Sequence, residues 1–498
     1  MRLSMVSSRK RNIREARLRF CLCRSWPSAL LLSGALLLSA GGTLAQTSTP
    51  PSPGQPIPGT QGVSPYAASV PAQATPGVLP LSLQDAINRG LKQNLGALLS
   101  NAEIKAARGN RWEQLSALLP HVSVDPYIAD SKINLGELGI GNAPGFKIPQ
   151  SIGPFSYFDA RLNVSQSLFD WKLINTERAA QQSLKSAEYT YKDARDLVVL
   201  AVGYTYLQAI ADEARIATAD AQVKTAQVLY DQAEDQVKAG TSPSIDALRA
   251  KVELQTRQQQ LIQAKNNFAI QKLTVARVIG LAPGQEFDLT DKSPYRAFDE
   301  VTIDDALKHA YASRSDYRAA EADTHAAEFA RKAAFAGYFP SLSFNADYGT
   351  AGPHPSTATQ VFDVRGTLSI PIFQGGSVHA AVLQADARLE QSRERLENLR
   401  AQIDADVRTA LLNIQSSAEQ VAVARSNIEL AEQTLAQSRD RFSAGVTDTV
   451  EVVQSQEAVA SAHERFISSL YNYNFAKISL ARALGIAEEG VKEYFKGI

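Results

Sequence analysis

Cysteine occurs only as Cys21 and Cys23, so neither a disulfide framework nor a thiolate metal cluster can organise the rest of this 498-residue chain. The six histidines show no HxxxH or HxH pairing, which removes the usual imidazole metal motifs. Net charge is also missing: 51 basic residues balance 51 acidic ones at a pI of about 7.0, and no nucleic-acid footprint is visible. Aromatic residues are only 7% of the chain, lean for a string of ordinary globular domains. Beyond residue 45 no uncharged apolar run reaches the ~18 residues of a membrane helix, so a bilayer can be crossed only as a β-barrel. No GxSxG, HExxH, CxxC or phosphate-cradling glycine loop is present, and no acid pair is better explained by catalysis than by a helix surface. The chain reads as a non-enzyme that needs no cofactor and no metal.

What is present begins with a leader. Residues 2–24 hold eight Lys or Arg and a single acid, Glu15, ahead of the apolar stretch SALLLSGALLLSA at 28–40. A basic start, a short apolar run and a small-residue exit describe a secretory signal peptide over 1–45, with cleavage expected after Ala45. Without it the chain keeps 43 of 51 bases and 50 of 51 acids, a net charge of −7, and no cysteine. An exported, cysteine-free, mildly acidic chain points to a bacterial envelope. Residues 46–80 carry nine prolines and almost no charge, so a disordered tether is expected there.

The remainder is a tandem duplication. LSLQDAINRG…SALLPHVSVD (81–125) aligns with VTIDDALKHA…AGYFPSLSFN (301–345) at a shift of 220. FDARLNVSQSLF (158–169) aligns with FDVRGTLSIPIF (362–373) at a shift of 204, and AGTSPSIDALRA (239–250) with AGVTDTVEVVQS (444–455) at 205. The expected divisions are a first repeat at 81–283, a linker at 284–300, a second repeat at 301–486 and a tail at 487–498. Each repeat reads as helix, strand, loop, strand, very long helix, turn and long helix.

In the strands, Phe158, Ala160, Leu162, Val164 and Leu168 alternate with Asp159, Arg161, Asn163, Ser165 and Ser167. Phe362, Val364, Leu368, Ile370 and Ile372 do so against Asp363, Arg365, Thr367 and Ser369. Period-2 alternation of this length suits a transmembrane strand, apolar to lipid and polar to a lumen, and equally a half-buried strand in a soluble sandwich. The helices decide between them. From Ser377 to Ala444 there is neither Gly nor Pro, and from Leu173 to Ala239 only Gly203. At ~1.5 Å per residue each helix would be roughly 100 Å long. A stripe from Leu396 through Ile403, Val407, Ile414 and Val421 to Leu435 takes eleven steps over 39 residues, between the 3.5 period of a supercoil and the 3.6 of a straight helix. Nearly straight helices packed side by side in a wall are expected. Ala239-Gly240 and Ala444-Gly445 end the long helices, and Thr241, Ser242, Ser244 or Thr447, Asp448, Thr449 are expected to cap the next ones.

Four strands cannot seal a barrel in lipid, so several chains must contribute. A trimer gives twelve strands, and the duplication makes its ring nearly sixfold. With RFSAGVTDTVEVVQSQ (441–456), the strand endings SLF and PIF, and the helix-to-strand residues Pro120 and Pro340, the chain resembles the TolC family of outer-membrane efflux and secretion channels over about 81–486. The resemblance implies a mainly α fold with four strands per chain. It implies a homotrimer whose twelve-stranded β-barrel sits in outer-membrane lipid and whose α-barrel crosses the periplasm. It also implies docking at the helical tips to a periplasmic adaptor, joined to an inner-membrane pump or ABC exporter. By the same resemblance Gly240, Gly445, Ala239 and Ala444 form adaptor-docking tips, and Asp246 and Glu451 line the periplasmic entrance as an acidic ring. Each acid also suits its own helix N-terminus, and Gln454 stands where relatives have a second acid. Arg441 and Phe442 read either as a latch between helices or as a solvated Arg beside a core Phe. Asp159, Arg161, Asp363 and Arg365 belong in the barrel lumen, and Trp171 at the membrane interface or in a packed junction. The alternative is a structural or adhesive coiled-coil envelope protein without a pore, which leaves the duplicated strands unexplained.

Overall fold

Ser82 and Thr302 occupy the same place in the two repeats and open each in the same way. The Ser82 hydroxyl accepts from Asp85 N at 3.1 Å and donates to the Asp85 carboxylate at 2.7 Å; Thr302 does both with Asp305, at 3.3 and 2.7 Å. These reciprocal caps satisfy amides that a helix start leaves without partners. The structure, a computed structural model, describes residues 64–74, 76–135, 137, 149–292, 298 and 301–494. The leader expected over 1–45 lies outside the described residues, as do parts of 46–80 and 284–300 and the last four residues of the chain.

The first repeat runs β1 (Leu79–Leu81), α1 (Leu83–Gln93), α2 (Leu95–Ser116), β2 (His121–Val124), β3 (Tyr127–Asn134), β4 (Ser151–Phe169), α3 (Trp171–Lys238), α4 (Ser244–Ile279) and β5 (Phe287–Leu289). The second runs α5 (Ile303–Ser313), α6 (Ser315–Phe335), β6 (Ser341–Gly352), β7 (Thr359–Ser369), α7 (Ser377–Ser443), α8 (Thr449–Ala483) and α9 (Ala487–Tyr494). The very long helices are 68 and 67 residues, as the glycine- and proline-free stretches require. On α7 the expected stripe faces inward: Ile403, Val407, Ala410, Ile414, Val421, Ala424 and Leu435 are all buried.

Two helices run alongside each long one. α3 packs against α2 and then α4, and α7 against α6 and then α8. The repeats join where α3 meets α6 and α8, giving the lateral order α2-α3-α6-α7 near the strands and α4-α3-α8-α7 near the tips. One core gathers α1, α3, α4, β1 and β5 with Ile478; a second gathers α5, α7 and α8; a third, near the tips, holds Leu229, Ala233, Ala250, Leu435, Phe442 and Val452.

β2 and β3 are one strand interrupted at Asp125-Pro126, both pairing with β4, because proline cannot donate to a ladder. β4 pairs antiparallel with β6, and β6 with β7. The result is a sheet four strands wide, with β2/β3 on one edge and β7 on the other.

Several expectations need correction. The register between β4 and β6 shifts between Ser167 and Phe169, so Phe169 rather than Leu168 continues the row of Leu342 and Leu368. A bulge of this kind turns the following side chains over. Residues 64–74 and 76–80 pack against the helices instead of forming a free tether. Val70 N donates to Gln93 O at 2.8 Å, Ala72 N to Gly280 O at 2.9 Å, and Asn94 Nδ2 to Tyr66 O at 2.7 Å. β1 then pairs in parallel with β5. Prolines fix an extended backbone, and here that backbone finds polar partners. The tail begins as α9, with Ala487 fully buried. At the second hairpin Asp448 caps α8 as expected, but α4 starts from Pro243 with no side-chain cap. There Thr241 donates to Gln236 O and Ser242 to Asp246 instead.

Candidate functional site

Antiparallel pairing puts directly opposed residues on one face. One such row is Ser123, Asn163, Asp347 and Asp363; the next is His121, Ser165, Asn345 and Arg365. Asp159 and Arg161 share that face, so the four charged residues expected in a lumen are brought onto one side of the sheet. Arg161 donates to Asp159 at 2.6 Å along β4 and to Asp347 at 3.0 Å across to β6, and the Tyr157 hydroxyl donates to Asp159 at 2.9 Å. Asp159 is buried by these partners. Arg365 pairs with Asp363 at 3.4 Å on the exposed edge strand. Sequence alternation does not mark Tyr157 or Asp347 as site residues; Tyr157 joins the network along β4, and Asp347 joins it only through the β4–β6 register.

The opposite face is apolar and uncovered. Val122, Val124, Ile128, Leu162, Tyr348, Phe362, Val364 and Leu368 are between 41% and 73% exposed. Where helices meet strands, Trp112, Phe169, Trp171, Phe335, Tyr338 and Phe339 are also exposed. Trp171 stacks on Phe169 at 6.4 Å with Arg178 5.9 Å from its ring centroid, so it is both an exposed aromatic and a packed junction. Among the described residues no helix is long and apolar enough to cross a membrane.

At the far end the two hairpins turn through matched glycines. Gly240 and Gly445 have φ of +71° and +70°. Thr241 N donates to Gln236 O at 3.0 Å and Val446 N to Arg441 O at 2.9 Å, closing each helix with a left-handed cap. Nothing lies within 4 Å of a Cβ built on either glycine, so both tips are open outward. Ala239 and Ala444 are the last residues before each turn, their amides donating to Asp235 O and Asp440 O.

The two acids are not equivalent. Asp246 is buried, accepting from Ser242 at 2.8 Å with Arg249 at 3.5 Å. Glu451 is more open, with 34% side-chain exposure, and is held by Thr447 at 2.5 Å, Ser438 at 3.3 Å and Arg441 at 3.3 Å. Arg441 is thus tied within its own hairpin, and Phe442 is buried in the tip core. Gln454 stays exposed beside them.

A further charged cluster joins the repeats midway. Arg482 bonds Asp193 and lies 3.6 Å from Asp316; Arg314 pairs with Asp316 at 2.6 Å and Asp406 at 3.0 Å; Arg195 holds Glu488 at 2.8 Å. Burial pushes the Asp196 carboxyl up to about 6 against the pull of Arg482, and burial likewise raises Asp193. Its members come from four separate stretches of the chain (193–196, 314–316, 406 and 482–488) and form no motif in any one of them, so only the fold brings them together.

Comparison with known proteins gives a consistent answer. Residues 89–281 and 306–486 match the family described as Outer membrane efflux protein, one segment in each repeat. The chain is 24% identical over 335 residues to the pyoverdine export outer membrane protein OpmQ of Pseudomonas putida, covering 66% of this chain and 70% of that one. It is 21% identical over 346 residues to the outer membrane protein TolC of Escherichia coli K12, with coverage of 66% and 70%. Its fold matches the Campylobacter jejuni CmeC outer membrane channel at a TM-score of 0.70 and 18% identity, covering 83% of this chain and 88% of that one.

Proposed function

The chain belongs to the outer membrane efflux protein family, and on that premise we propose that three copies form a passive channel-tunnel. It is the exit duct of a tripartite efflux pump or of a type I secretion system. The observation that carries this reading is the sheet: four strands wide, open at both edges, with one apolar face uncovered. An open edge in hydrocarbon leaves backbone groups unsatisfied at several kcal/mol each, so the edges must pair with other copies. Three copies supply twelve strands, an even number above the ~8 of small barrels. The apolar face turns to lipid, and the aromatic residues at the strand bases sit at the membrane boundary. Asp159, Arg161, Asp363 and Arg365 then face the lumen.

The outermost helices of each protomer support the same closure. α4 exposes Ile245, Leu248, Val252, Ile262, Ile270 and Leu273, and the tip-side half of α7 exposes Leu412, Val423 and Leu430, each 47–71% accessible. In a ring the α4 stripe of one protomer meets the α7 stripe of the next and continues the wall into the periplasm. The tips at Ala239-Gly240 and Ala444-Gly445 receive a periplasmic adaptor, which links the duct to an inner-membrane pump or ABC exporter. Glu451, the more exposed of the two acids, sets the negative charge of the entrance, and the buried Asp246 contributes less.

Fractionation and reconstitution test the reading together. The protein is expected in the sarcosyl-insoluble outer-membrane pellet, to run as a trimer before heating, and to conduct ions in planar bilayers. Solubility without detergent, or a monomer that never conducts, overturns it.

A further inference from the structure

The two repeats differ at the end of the sheet away from the helices. β6 and β7 turn back through the short stretch 353–358, and the farthest residue of β4 with a partner on β6 is Phe158, opposite Gly352. Beyond it β4 keeps residues 151–157, whose only partner strand is β3. At ~3.3 Å per residue the β3–β4 hairpin projects about 23 Å past the sheet along the strand.

Alternate residues of a regular strand share a face, and pairing is unbroken from Ser131 opposite Phe155 to Tyr127 opposite Asp159. Phe155 and Tyr157 therefore lie on the same face as Asp159 and Arg161, and so does Tyr127. Tyr127 is 51% exposed and Phe155 38%, and the rings of Tyr127 and Tyr157 are 6.0 Å apart. The Tyr157 hydroxyl, which donates to Asp159, also accepts from Arg161 at 3.3 Å, so its ring is held in place.

Aromatic girdles of membrane barrels face lipid, with their rings at the headgroup level. These three residues lie on the opposite, charged face, and lipid anchoring does not account for them. The charge there is uneven. Asp125, Asp159, Asp347 and Asp363 stand against Arg161 and Arg365, Asp125 being placed on this face by its contacts with Ser123 at 3.0 Å and Asn163 at 3.5 Å. Arg161 is already engaged by Asp159 and Asp347. The surplus of carboxylates repels anions and draws cations. Exposed ring faces, negative by their quadrupole, add a preference for cations that carry a flat apolar body.

We propose that Tyr127, Phe155 and Tyr157 of each copy form an aromatic collar at the outer mouth of the lumen, and that this collar binds flat organic cations. The assignment rests on the channel reading, in which the strand ends away from the helices open outside the cell.

The test uses the full-length protein in planar bilayers with KCl, and ethidium added on the strand side as the probe. Conductance should fall saturably with ethidium. Tetraethylammonium has the charge without the rings, and naphthalenesulfonate has rings with the opposite charge; each should need at least fivefold more for half block. Half block by ethidium should itself shift at least fivefold upward in the double variant Tyr127→Ser, Phe155→Ser. If that variant does not assemble, the ranking of the three probes on the parent protein carries the test alone. A conducting protein that ethidium does not block, or that ranks the three probes alike, overturns the collar and leaves the channel standing. So does a block that survives in the double variant but is lost in Glu451→Ala, which would move the site to the tips. A protein that conducts no KCl at all overturns the channel and the collar with it.

Discussion

Gly203 is the single glycine inside α3, and its place in the contact between the repeats gives it a use. A Cβ built there would lie 2.6 Å from Ile478 Cδ1 and 3.5 Å from Ile478 Cγ2, and Ile478 is fully buried. Replacing a mid-helix glycine with alanine gains about 0.8–1 kcal/mol of helix propensity. Overpacking a closed core costs about 1–3 kcal/mol. Gly203→Ala is therefore expected to range from neutral to destabilising by about 2 kcal/mol. Ile478→Val removes the obstructing methyl and alone costs about 0.5–1.5 kcal/mol. In the double variant the alanine methyl fills the vacated space, so stability returns close to that of the parent. The four apparent melting temperatures, followed by far-ultraviolet circular dichroism in one detergent, give a coupling of about 0.5–3.5 kcal/mol, centred near 2; independent sites would add within about 0.3–0.5 kcal/mol. If Gly203→Ala raises the melting temperature and Ile478→Val merely subtracts its own loss, close approach of α3 and α8 is not the reason for the glycine. Gly90 makes a parallel case, since its Cβ would lie 2.6 Å from Val202 Cγ2.

Three other outcomes follow from the tips and the repeat junction. Gly445→Arg meets no neighbour and costs only the roughly 1–2 kcal/mol of a left-handed backbone; trimer and insertion should survive while export in cells is lost, and normal export would dismiss the docking tip. Glu451→Ala should reduce cation selectivity in planar bilayers, whereas Asp246→Ala, at a buried carboxylate, should lower thermal stability more than it changes selectivity. Equal selectivity shifts would mean that the acids are equivalent after all. For Asp196, raised by burial to about 6 from an ordinary 3.8, the folded state holds a proton that the unfolded chain has released between those values. Stability from this group thus falls as pH rises from about 4 to about 6 and stays lower above, by at most about 3 kcal/mol. Asp196→Asn should flatten that slope and melt higher at pH 7.5, and parallel pH curves for the two proteins would refute the assignment.

The long helices were legible because they rest on one-dimensional signals: absent breakers, a stripe near 3.55 residues per step, and a copy of each signal in the other repeat. The strands were legible for a similar reason, since alternation at Asp159–Arg161 and Asp363–Arg365 sets their common face before any partner is known. What the sequence could not convey depends on partners. The bulge before Phe169 exists only relative to β6. The docking of Tyr66 and Val70 depends on a groove made by α1, α2 and the end of α4, while proline content alone suggests a tether. Glu451 and Asp246 align perfectly in the duplication, but Arg441 reaches one and Ser242 closes over the other.

The duplication also specifies how protomers should join. Within the first repeat Val122 faces Val164, and within the second Leu342 faces Leu368. These are the same pair under the shifts of 220 and 204, so register is preserved between copies. Inside the protomer β4, the second strand of one repeat, meets β6, the first of the next, with Val164 opposite Ala346. In a closed ring β7 meets β2 of the neighbouring copy in the same relation, and the same shifts place Ile370 opposite Val124. This accounts for an asymmetry. β4 continues to Phe169, whereas β7 stops at Ser369 and leaves Ile370, Ile372 and Phe373 at 62%, 95% and 87% exposure. The aligned residues of the first repeat are held by β6, and in the proposed ring those of the second would be held by the neighbouring copy. With Cys21 and Cys23 replaced, Ile370→Cys and Val124→Cys should oxidise into a covalent ladder ending at three chains, since opposed strand residues lie within disulfide reach. Ile370→Cys with Ile128→Cys, four residues and about 13 Å along the strand, should not. Comparable cross-linking of both pairs, or a ladder that stops at two chains, would show that the repeat does not template the ring.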